Sequence, residues 1–241
     1  MILTAHQPVY LPWIGLFQKI ALADKFCFFD NVQYQIKDWN NRNKIKFSNG
    51  EAKWLTVPVK RSGYLEKSFL DIKINNEVPW RRKHWKSIEM NYSKAKYFSL
   101  YVDGLKGFYE KEWDYLVDLN YEMLLYLLEN LGLNVQVVGM CNWSFKGRKS
   151  NLVLDMCLQM EADVYIFGML GEGYAKRENF LKKGVVPYFQ HYKHPEYRQL
   201  HGQFVSHLSI IDLLFNCGPK SLNILTSGNI TKKELIESVI N

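Results

Sequence analysis

The sequence predicts an α/β protein built on a mostly parallel, wound sheet with a small antiparallel β insertion and a helical segment. Two observations predict the sheet: the chain starts as strand, helix and strand, and strands alternate with helices again in its last third. A third predicts the insertion, because short alternating strands follow one another between these parts. With 241 residues, 47% of them hydrophobic, we expect one domain over 1–241, with the insertion at about 35–131.

The first 34 residues are predicted to form a βαβ unit. Residues 1–5 are a short apolar run, and Pro12 suits the first position of a helix. Asp24 closes this helix, and the apolar run at 26–29 is typical of a strand covered on both faces. Apolar residues between them recur on one helical face: Trp13, Leu16, Phe17, Ile20 and Ala21.

The insertion is predicted to contain three short antiparallel strands, at 44–48, 54–60 and 69–74. Helices are expected at 79–91 and 94–131 and lead back to the sheet.

The last third is predicted to return to the parallel pattern. Strands are expected at 135–138, 164–167 and 185–190, with helices at about 150–160 and 174–181 between them. Ser150 is the expected N-cap of the first of these helices. Residues 208–217 and the tail from Thr231 are expected to be helical.

Composition and charge narrow the class of protein. The net charge is +7, with basic residues in short scattered groups, which favours an anionic partner such as a nucleotide diphosphate or an acidic carrier protein. Nucleic acid is less favoured, because no sequence motif of a nucleic-acid-binding domain is present.

The four cysteines form no C-x-x-C pair, and no apolar run reaches the ~18 residues of a membrane span. We therefore expect a soluble, cytoplasmic protein without a signal peptide.

The turn after the first strand is the strongest candidate site. In wound sheets ligands bind beyond the carboxyl ends of the strands, where His6 and Gln7 are expected. His6 is predicted to act as a general base or to bind a phosphate oxygen, the alternative being a hydrogen bond within the turn. Lys19 and free N–H groups of the following helix are candidate anion ligands. For Trp13, a position in the core is a simpler interpretation than a contact with substrate.

Three other segments carry candidate residues. The glycine-rich loop at 168–174 allows either close approach of a ligand or a tight turn, and its spacing matches no dinucleotide or P-loop motif. Four histidines lie at 191–207, but their spacing fits no familiar metal site, so no metal is predicted. The part of this segment that contains His194 and Tyr197 is predicted to form a loop over the crevice, the alternative being an ordinary polar surface loop. Asn41, Arg42 and Lys60 flank the insertion strands, where solvated turns are the default interpretation and a phosphate clamp the functional one.

Taken together, these residues resemble the WbqC-like family of bacterial proteins over nearly the whole chain. The resemblance rests on His6-Gln7-Pro8, Tyr10, Pro12-Trp13, Gly15, Lys19, Asp30, Val32-Gln33, Asn41-Arg42, the run at 54–60, Gly168, Gly171, Tyr174, Gln190, Tyr192, His194-Pro195, Tyr197, Leu208-Ser209, the run at 212–216, and Gly218. Phe167 stands where the family usually has Ser, which removes a hydroxyl contact there.

The resemblance implies a role in O-antigen or other surface-polysaccharide (lipopolysaccharide) biosynthesis. The activity it implies is transfer of an N-acyl or aminoacyl group, such as glycyl, to the amine of a nucleotide-linked amino sugar. No motif demands a cofactor, and the donor would be an acyl or aminoacyl carrier, such as an acyl carrier protein, or a species formed with ATP. The expected catalytic residues are His6 as base, Gln7 as oxyanion donor, for which an N–H of the glycine-rich loop is the alternative, and His194. The expected substrate contacts are Tyr10, Trp13, Lys19, Asn41, Arg42, Lys60, Gly168, Gly171, Tyr174 and Tyr197.

Two other interpretations stay open. The strand, histidine turn and helix also resemble the start of nucleotidylyltransferases and pantothenate-synthetase-like ligases of the HUP class. Their paired H-x-G-H motif is incomplete here, because Val9 stands where the second histidine would be. An ATP-dependent adenylylating ligase is therefore one alternative, and a non-catalytic protein that binds a sugar nucleotide is the other.

Overall fold

The computed structural model describes residues 1–36 and 38–240. Its strands form a five-stranded parallel sheet and a two-stranded antiparallel sheet. The strands are β1 (Ile2–His6), β2 (Lys25–Phe28), β3 (Arg42–Lys46), β4 (Ala52–Thr56), β5 (Gln136–Gly139), β6 (Val164–Phe167) and β7 (Val186–Phe189). The helices are α1 (Ile14–Ala21), α2 (Trp80–Tyr92), α3 (Phe98–Glu110), α4 (Leu116–Leu131), α5 (Ser150–Gln159), α6 (Arg177–Leu181), α7 (Ile210–Cys217), α8 (Ser221–Thr226) and α9 (Lys232–Ile240).

The parallel sheet has the order β5-β2-β1-β6-β7. The chain builds outward from β1 through β2 to β5 and then crosses to the opposite side for β6 and β7. The order therefore reverses between β1 and β6, which is where wound sheets bind their ligands. The predicted mostly parallel sheet with a small antiparallel insertion and accompanying helices is confirmed.

The sheet forms because its strands are apolar on both faces. Leu3, Cys27 and Tyr165 pack on one face against a cluster from α5 and α6. Phe26 and Phe28 join the main core on the other face, together with α1, the β3–β4 hairpin, α2 to α4 and α7. Burial on both faces accounts for the continuous apolar runs that mark parallel strands in the sequence.

The insertion differs from its prediction in two places. Residues 69–74 do not form a third strand: Phe69–Asp71 is a 3-10 helix, and Lys73 and Ile74 make only isolated bridges. The reason is local. Ser68 and Asp71 form a capping box, in which the side chain of each residue accepts a hydrogen bond from the backbone of the other. The single helical region expected at 94–131 is two helices, α3 and α4.

Two helix starts also differ from prediction. α1 begins at Ile14 rather than at Pro12, because the Pro12 carbonyl accepts a hydrogen bond from Ile210 N at 2.8 Å and is thus committed to another segment. Ser150 is the first residue of α5 rather than its N-cap.

Within residues 1–36 and 38–240, no helix has the length and hydrophobicity needed to cross a bilayer.

A buried carboxyl holds the irregular segment 190–208 against the rest of the fold. Asp212 in α7 accepts hydrogen bonds from Tyr92 Oη at 2.7 Å and from Tyr197 Oη at 2.9 Å. Lys46 of β3 donates to Gln199 Oε1 at 3.0 Å. Burial raises the pKa of Asp212 to about 6, although the two tyrosine hydroxyls and Lys46 act in the opposite direction. Ionisation of this carboxyl therefore opposes folding.

We predict that Asp212→Asn changes the pH dependence of stability. Because the folded-state pKa lies above the ordinary value of 3.8, the carboxyl's contribution is most favourable below pH 4 and is lost as the pH rises through 6. The free energy of unfolding of the wild type should therefore fall relative to Asp212→Asn over this interval, by at most about 3 kcal/mol. Urea unfolding at several pH values measures the difference. The exposed Asp114→Asn serves as control and should run parallel to the wild type, and a parallel curve for Asp212→Asn would contradict the prediction.

Candidate functional site

The carboxyl edge of the parallel sheet brings polar residues from four separate segments together. His6 ends β1, Asp30 follows β2, Gly168 follows β6, and Gln190 follows β7. Phe28 is opposite His6 in the sheet register. Because all five strands run in the same direction, their carboxyl ends form one edge, and these residues line it.

The His6 ring has one nitrogen that no described residue contacts by a hydrogen bond. His6 Nδ1 lies 2.8 Å from the Gln7 carbonyl oxygen, and a carbonyl only accepts hydrogen bonds. In the neutral ring, Nδ1 therefore carries the proton, and Nε2 carries the lone pair. The ring is half-buried. Its pKa is lowered to about 4, first by burial and then by the Lys19 charge, whereas the Gln7 contact and Asp38 raise it.

Lys19 is a buried cation at the same strand end. Its side chain is on α1 and 4% exposed, and Nζ donates to the Ala5 carbonyl oxygen at 2.9 Å. No carboxylate in the described part of the chain forms an ion pair with it. Burial lowers its pKa to about 8. A buried ammonium without a counter-ion attracts an anionic ligand, since pairing offsets the loss of hydration.

Two buried asparagines hold the turn that follows His6. Asn40 Nδ2 donates to the Pro8 carbonyl at 2.9 Å, and Tyr10 N donates to the Asn40 carbonyl at 3.1 Å. Asn43 Nδ2 donates to the carbonyl of Leu11, whose φ of +47° lies in the left-handed region. That conformation costs about 1–2 kcal/mol in a non-glycine residue. The asparagines therefore stabilise a strained turn, a role the sequence analysis did not assign to them.

Trp13 lies at the start of α1 under the 190–208 segment. Its ring stacks on His207 at 5.6 Å between centroids and meets Tyr192 edge-on at 5.6 Å. Gly15 is required beneath it, because a Cβ at that position would lie 2.2 Å from the indole ring. Trp13 and Tyr192 are half-buried and His207 is exposed, so Trp13 packs against the core on one side and is covered by an exposed ring on the other.

His194 belongs to the same cluster, but both its ring nitrogens are engaged. Nδ1 lies 2.9 Å from the Pro195 carbonyl and donates to it. Nε2 accepts from His207 N at 3.2 Å. Burial lowers the pKa of His194, the Pro195 contact raises it, and His207 lowers it. In this arrangement His194 holds His207 against Trp13.

The two predicted glycines differ in their surroundings. A Cβ at Gly168 would meet nothing within 4 Å, whereas one at Gly171 would lie 2.6 Å from the Phe167 side chain. Gly171 is therefore explained by packing, and Gly168 borders open space. Tyr174 is 46% exposed and packs edge-on against Phe167 at 6.1 Å.

Three residues that were predicted to contact substrate have polar side-chain groups that are hydrogen-bonded to other residues of the protein. The Tyr10 hydroxyl lies 2.9 Å from His84 Nδ1 and 2.7 Å from the Tyr109 hydroxyl in the core. Tyr197 donates to Asp212. Asn41 Nδ2 donates to the Val57 carbonyl at 2.7 Å.

Arg42 and Lys60 occupy different parts of the insertion. The Arg42 guanidinium lies 4.3 Å from the ring centre of Trp54, and Arg42 Nε donates to the Asp38 carbonyl at 3.3 Å. Lys60 lines a cavity of about 350 Å³, and Arg42 is not part of that lining.

Two residues that tie strand ends together were not predicted as site residues. Asp30 is buried, and its Oδ1 accepts from Cys141 N at 2.9 Å, which joins the ends of β2 and β5. Gln190 Nε2 donates to the Gly15 carbonyl at 2.9 Å, which joins the end of β7 to α1. The sequence signal that could have identified both residues is a polar residue one or two positions beyond a buried strand.

Among the described residues, no three His, Cys, Asp or Glu side chains group as metal ligands.

Comparisons with known proteins point to one family. The family model described as the WbqC-like protein family matches residues 7–224. The chain is also 33% identical over 221 residues to the uncharacterized protein Rv1507c of Mycobacterium tuberculosis, an alignment that covers 91% of this chain and 95% of that protein. No solved structure matches.

We predict that Asn43→Ala destabilises the protein by about 1–3 kcal/mol, because the buried Leu11 carbonyl and Lys44 N–H lose their partners. Asn130→Ala is the matched control: its amide donates to the Tyr126 carbonyl on a half-exposed helical surface. Its effect should stay within about 0.5 kcal/mol. Urea unfolding measures both. Equal losses in the two variants would show that the asparagine clamp has no special role.

Proposed function

The chain belongs to the WbqC-like protein family, and we propose that it transfers an N-acyl or aminoacyl group to the amine of a nucleotide-linked amino sugar in surface-polysaccharide biosynthesis. One observation supports an enzyme at this site more than any other. Among the described residues, the lone pair of His6 Nε2 has no hydrogen-bond partner at the carboxyl edge of the parallel sheet, and the neighbouring buried lysine, Lys19, has no counter-ion. A base and an anion-binding group side by side match an amine substrate that also carries a negative charge.

In the proposed reaction, the sugar amine attacks the acyl carbonyl and forms the C–N bond. His6 Nε2 takes the proton that the amine loses, and the same proton passes to the leaving group of the donor as the tetrahedral intermediate collapses. The donor is an activated acyl or aminoacyl compound, such as a thioester, so the step needs no oxidant or reductant. Atoms and charge therefore balance with one base.

Gln7 is the proposed oxyanion donor. Its side chain is half-buried and makes no hydrogen bond within residues 1–36 and 38–240. In the proposed complex this amide donates to the oxygen of the reacting carbonyl. The N–H donors of the open Gly168 turn offer a second contact, since a ligand meets no side chain there.

Lys19 is proposed to bind an anionic group of the substrate. An anion beside Lys19 offsets the charge that lowers the pKa of His6. Substrate binding would therefore strengthen the base. Trp13 and Tyr174 are the proposed apolar contacts, whereas Tyr10, Asn41, His194 and Tyr197 hold the surrounding loops through the bonds described above.

A second candidate, an ATP-dependent adenylylating ligase, is favoured by the strand order and by the histidine at the end of β1, both of which fit a HUP-like nucleotide site. Incubation with ATP, glycine and a nucleotide-linked amino sugar distinguishes the two. Release of pyrophosphate or AMP supports the ligase, and product formed only from a preformed acyl donor supports the transferase. Ligand-induced thermal stabilisation without product under either condition supports a non-catalytic binding protein.

We predict that His6→Ala lowers turnover by roughly 100-fold or more, because proton transfer by a positioned base contributes at least that much. Turnover is measured by mass spectrometry of acylated product across a panel of nucleotide-linked amino sugars and acyl donors. His191→Ala is the control, since that histidine is exposed and contacts Glu172, and it should keep full activity. A folded His6→Ala variant with undiminished turnover would remove His6 from the mechanism.

We predict that Lys19→Met raises the pKa of His6. The Lys19 charge lowers that pKa, which is about 4 in the wild type, so its removal favours the imidazolium. The acid limb of kcat/KM, where His6 gains a proton, should move to higher pH in the variant. Above the lysine pKa of about 8, the wild type should also lose affinity for an anionic substrate. NMR titration of His6 checks the shift, and an unchanged value would contradict the proposed coupling.

A further inference from the structure

The insertion contains a cationic cavity that lies outside the sheet-edge site. Its volume is about 350 Å³, which is within the range of small-molecule sites. The residues that line it are Lys60, Ser62, Lys67, Asp71, Lys73 and Tyr115. Three lysines thus line one concave surface together with a single acidic residue.

The single carboxylate does not neutralise these lysines. Asp71 Oδ2 accepts from Ser68 N at 3.2 Å and from Ser68 Oγ at 3.0 Å, which caps the 3-10 helix. None of the three lysines forms an ion pair with a described residue. Lys67 Nζ donates to the Ser62 carbonyl at 2.8 Å, and Lys73 Nζ lies 5.4 Å from the ring centre of Tyr115.

The strand region of the insertion, residues 42–73, carries a net positive charge, as the lysines of the cavity do. Residues 42–73 contain eight Lys or Arg against three Asp or Glu, which leaves five of the chain's seven net positive charges in this segment. A cavity within such a region concentrates anions from solution.

The cavity wall is attached to the functional edge of the sheet. Ser68, next to Lys67, bridges to Gln33, and Phe69 N donates to the Val32 carbonyl at 2.8 Å. Val32 and Gln33 belong to the loop that follows β2. The cavity is therefore built against the carboxyl side of the sheet, as the His6 turn is.

We propose that this cavity binds the diphosphate of a nucleotide. Three lysines around one cavity match a dianionic or trianionic group, and Ser62 and Tyr115 in the same lining carry hydroxyls that can donate to phosphate oxygens. The inference concerns binding alone and does not require acyl transfer, so a non-catalytic nucleotide-binding protein would carry the same site.

Isothermal titration of the full chain with UDP, inorganic pyrophosphate and uridine tests the proposal. UDP and pyrophosphate should bind, and uridine, which lacks phosphate, should not. Lys60→Gln and Lys73→Gln should each weaken UDP binding roughly fivefold, and the double variant roughly 20-fold. Lys53→Gln is the matched control, because Lys53 is an exposed lysine of the same insertion that contacts Glu51 and Phe47 outside the cavity. It should change affinity less than about twofold.

Three results would overturn the proposal. The first is UDP binding that the double variant leaves unchanged, and the second is an equal loss in Lys53→Gln, which would indicate only general surface charge. The third is loss of UDP binding in Lys19→Met with none in the double variant, which would assign the diphosphate to the sheet edge. Turnover of His6→Ala is a separate measurement, so the proposed function and this site can fail independently.

Discussion

The candidate site depends on how the chain leaves β1. The backbone must turn sharply between His6 and α1, and Leu11 does so in the left-handed region, where a branched residue is strained. Asn40 and Asn43 satisfy the carbonyls that this turn withdraws from regular structure. Asn43 is in β3 and Asn40 is in the 3-10 turn just before it, so the insertion holds the His6 turn in place. The insertion is thus part of the site's support and not only an addition to the sheet.

A second set of contacts closes the opposite side of this turn. Gln190 after β7 reaches the first turn of α1, and His207 stacks on Trp13. His207 also has a positive φ, of 58°, so both segments that flank Trp13 contain a residue in the left-handed region. Such strain persists only where surrounding contacts determine the conformation. The hydrogen bonds of Asp212 and His194 supply those contacts, which explains why a segment without strands or helices packs in one arrangement.

The sequence predicts the sheet and the position of His6 well, because apolar runs and strand ends are local signals. The sequence does not predict that Lys19 is buried. The apolar face of α1 suggests a helix covered on one side, but residues 14–20 are all buried, since α7, α8 and the segment after β7 cover its other side. No periodicity within α1 contains that information. The same limit applies to the hydroxyl of Tyr10, whose partners His84 and Tyr109 are 74 and 99 residues away in the chain.

The low basicity of His6 is consistent with a role as a base. A histidine with a pKa of about 4 is neutral near pH 7, so its lone pair is available, but it accepts a proton weakly. Burial and the nearby ammonium of Lys19 cause this weakness, and an anion bound at Lys19 cancels the second cause. Such an anion would therefore raise the pKa of His6, while the larger effect of burial would persist. The proximity of Lys19 to His6 therefore couples any anion bound at Lys19 to the basicity of the histidine.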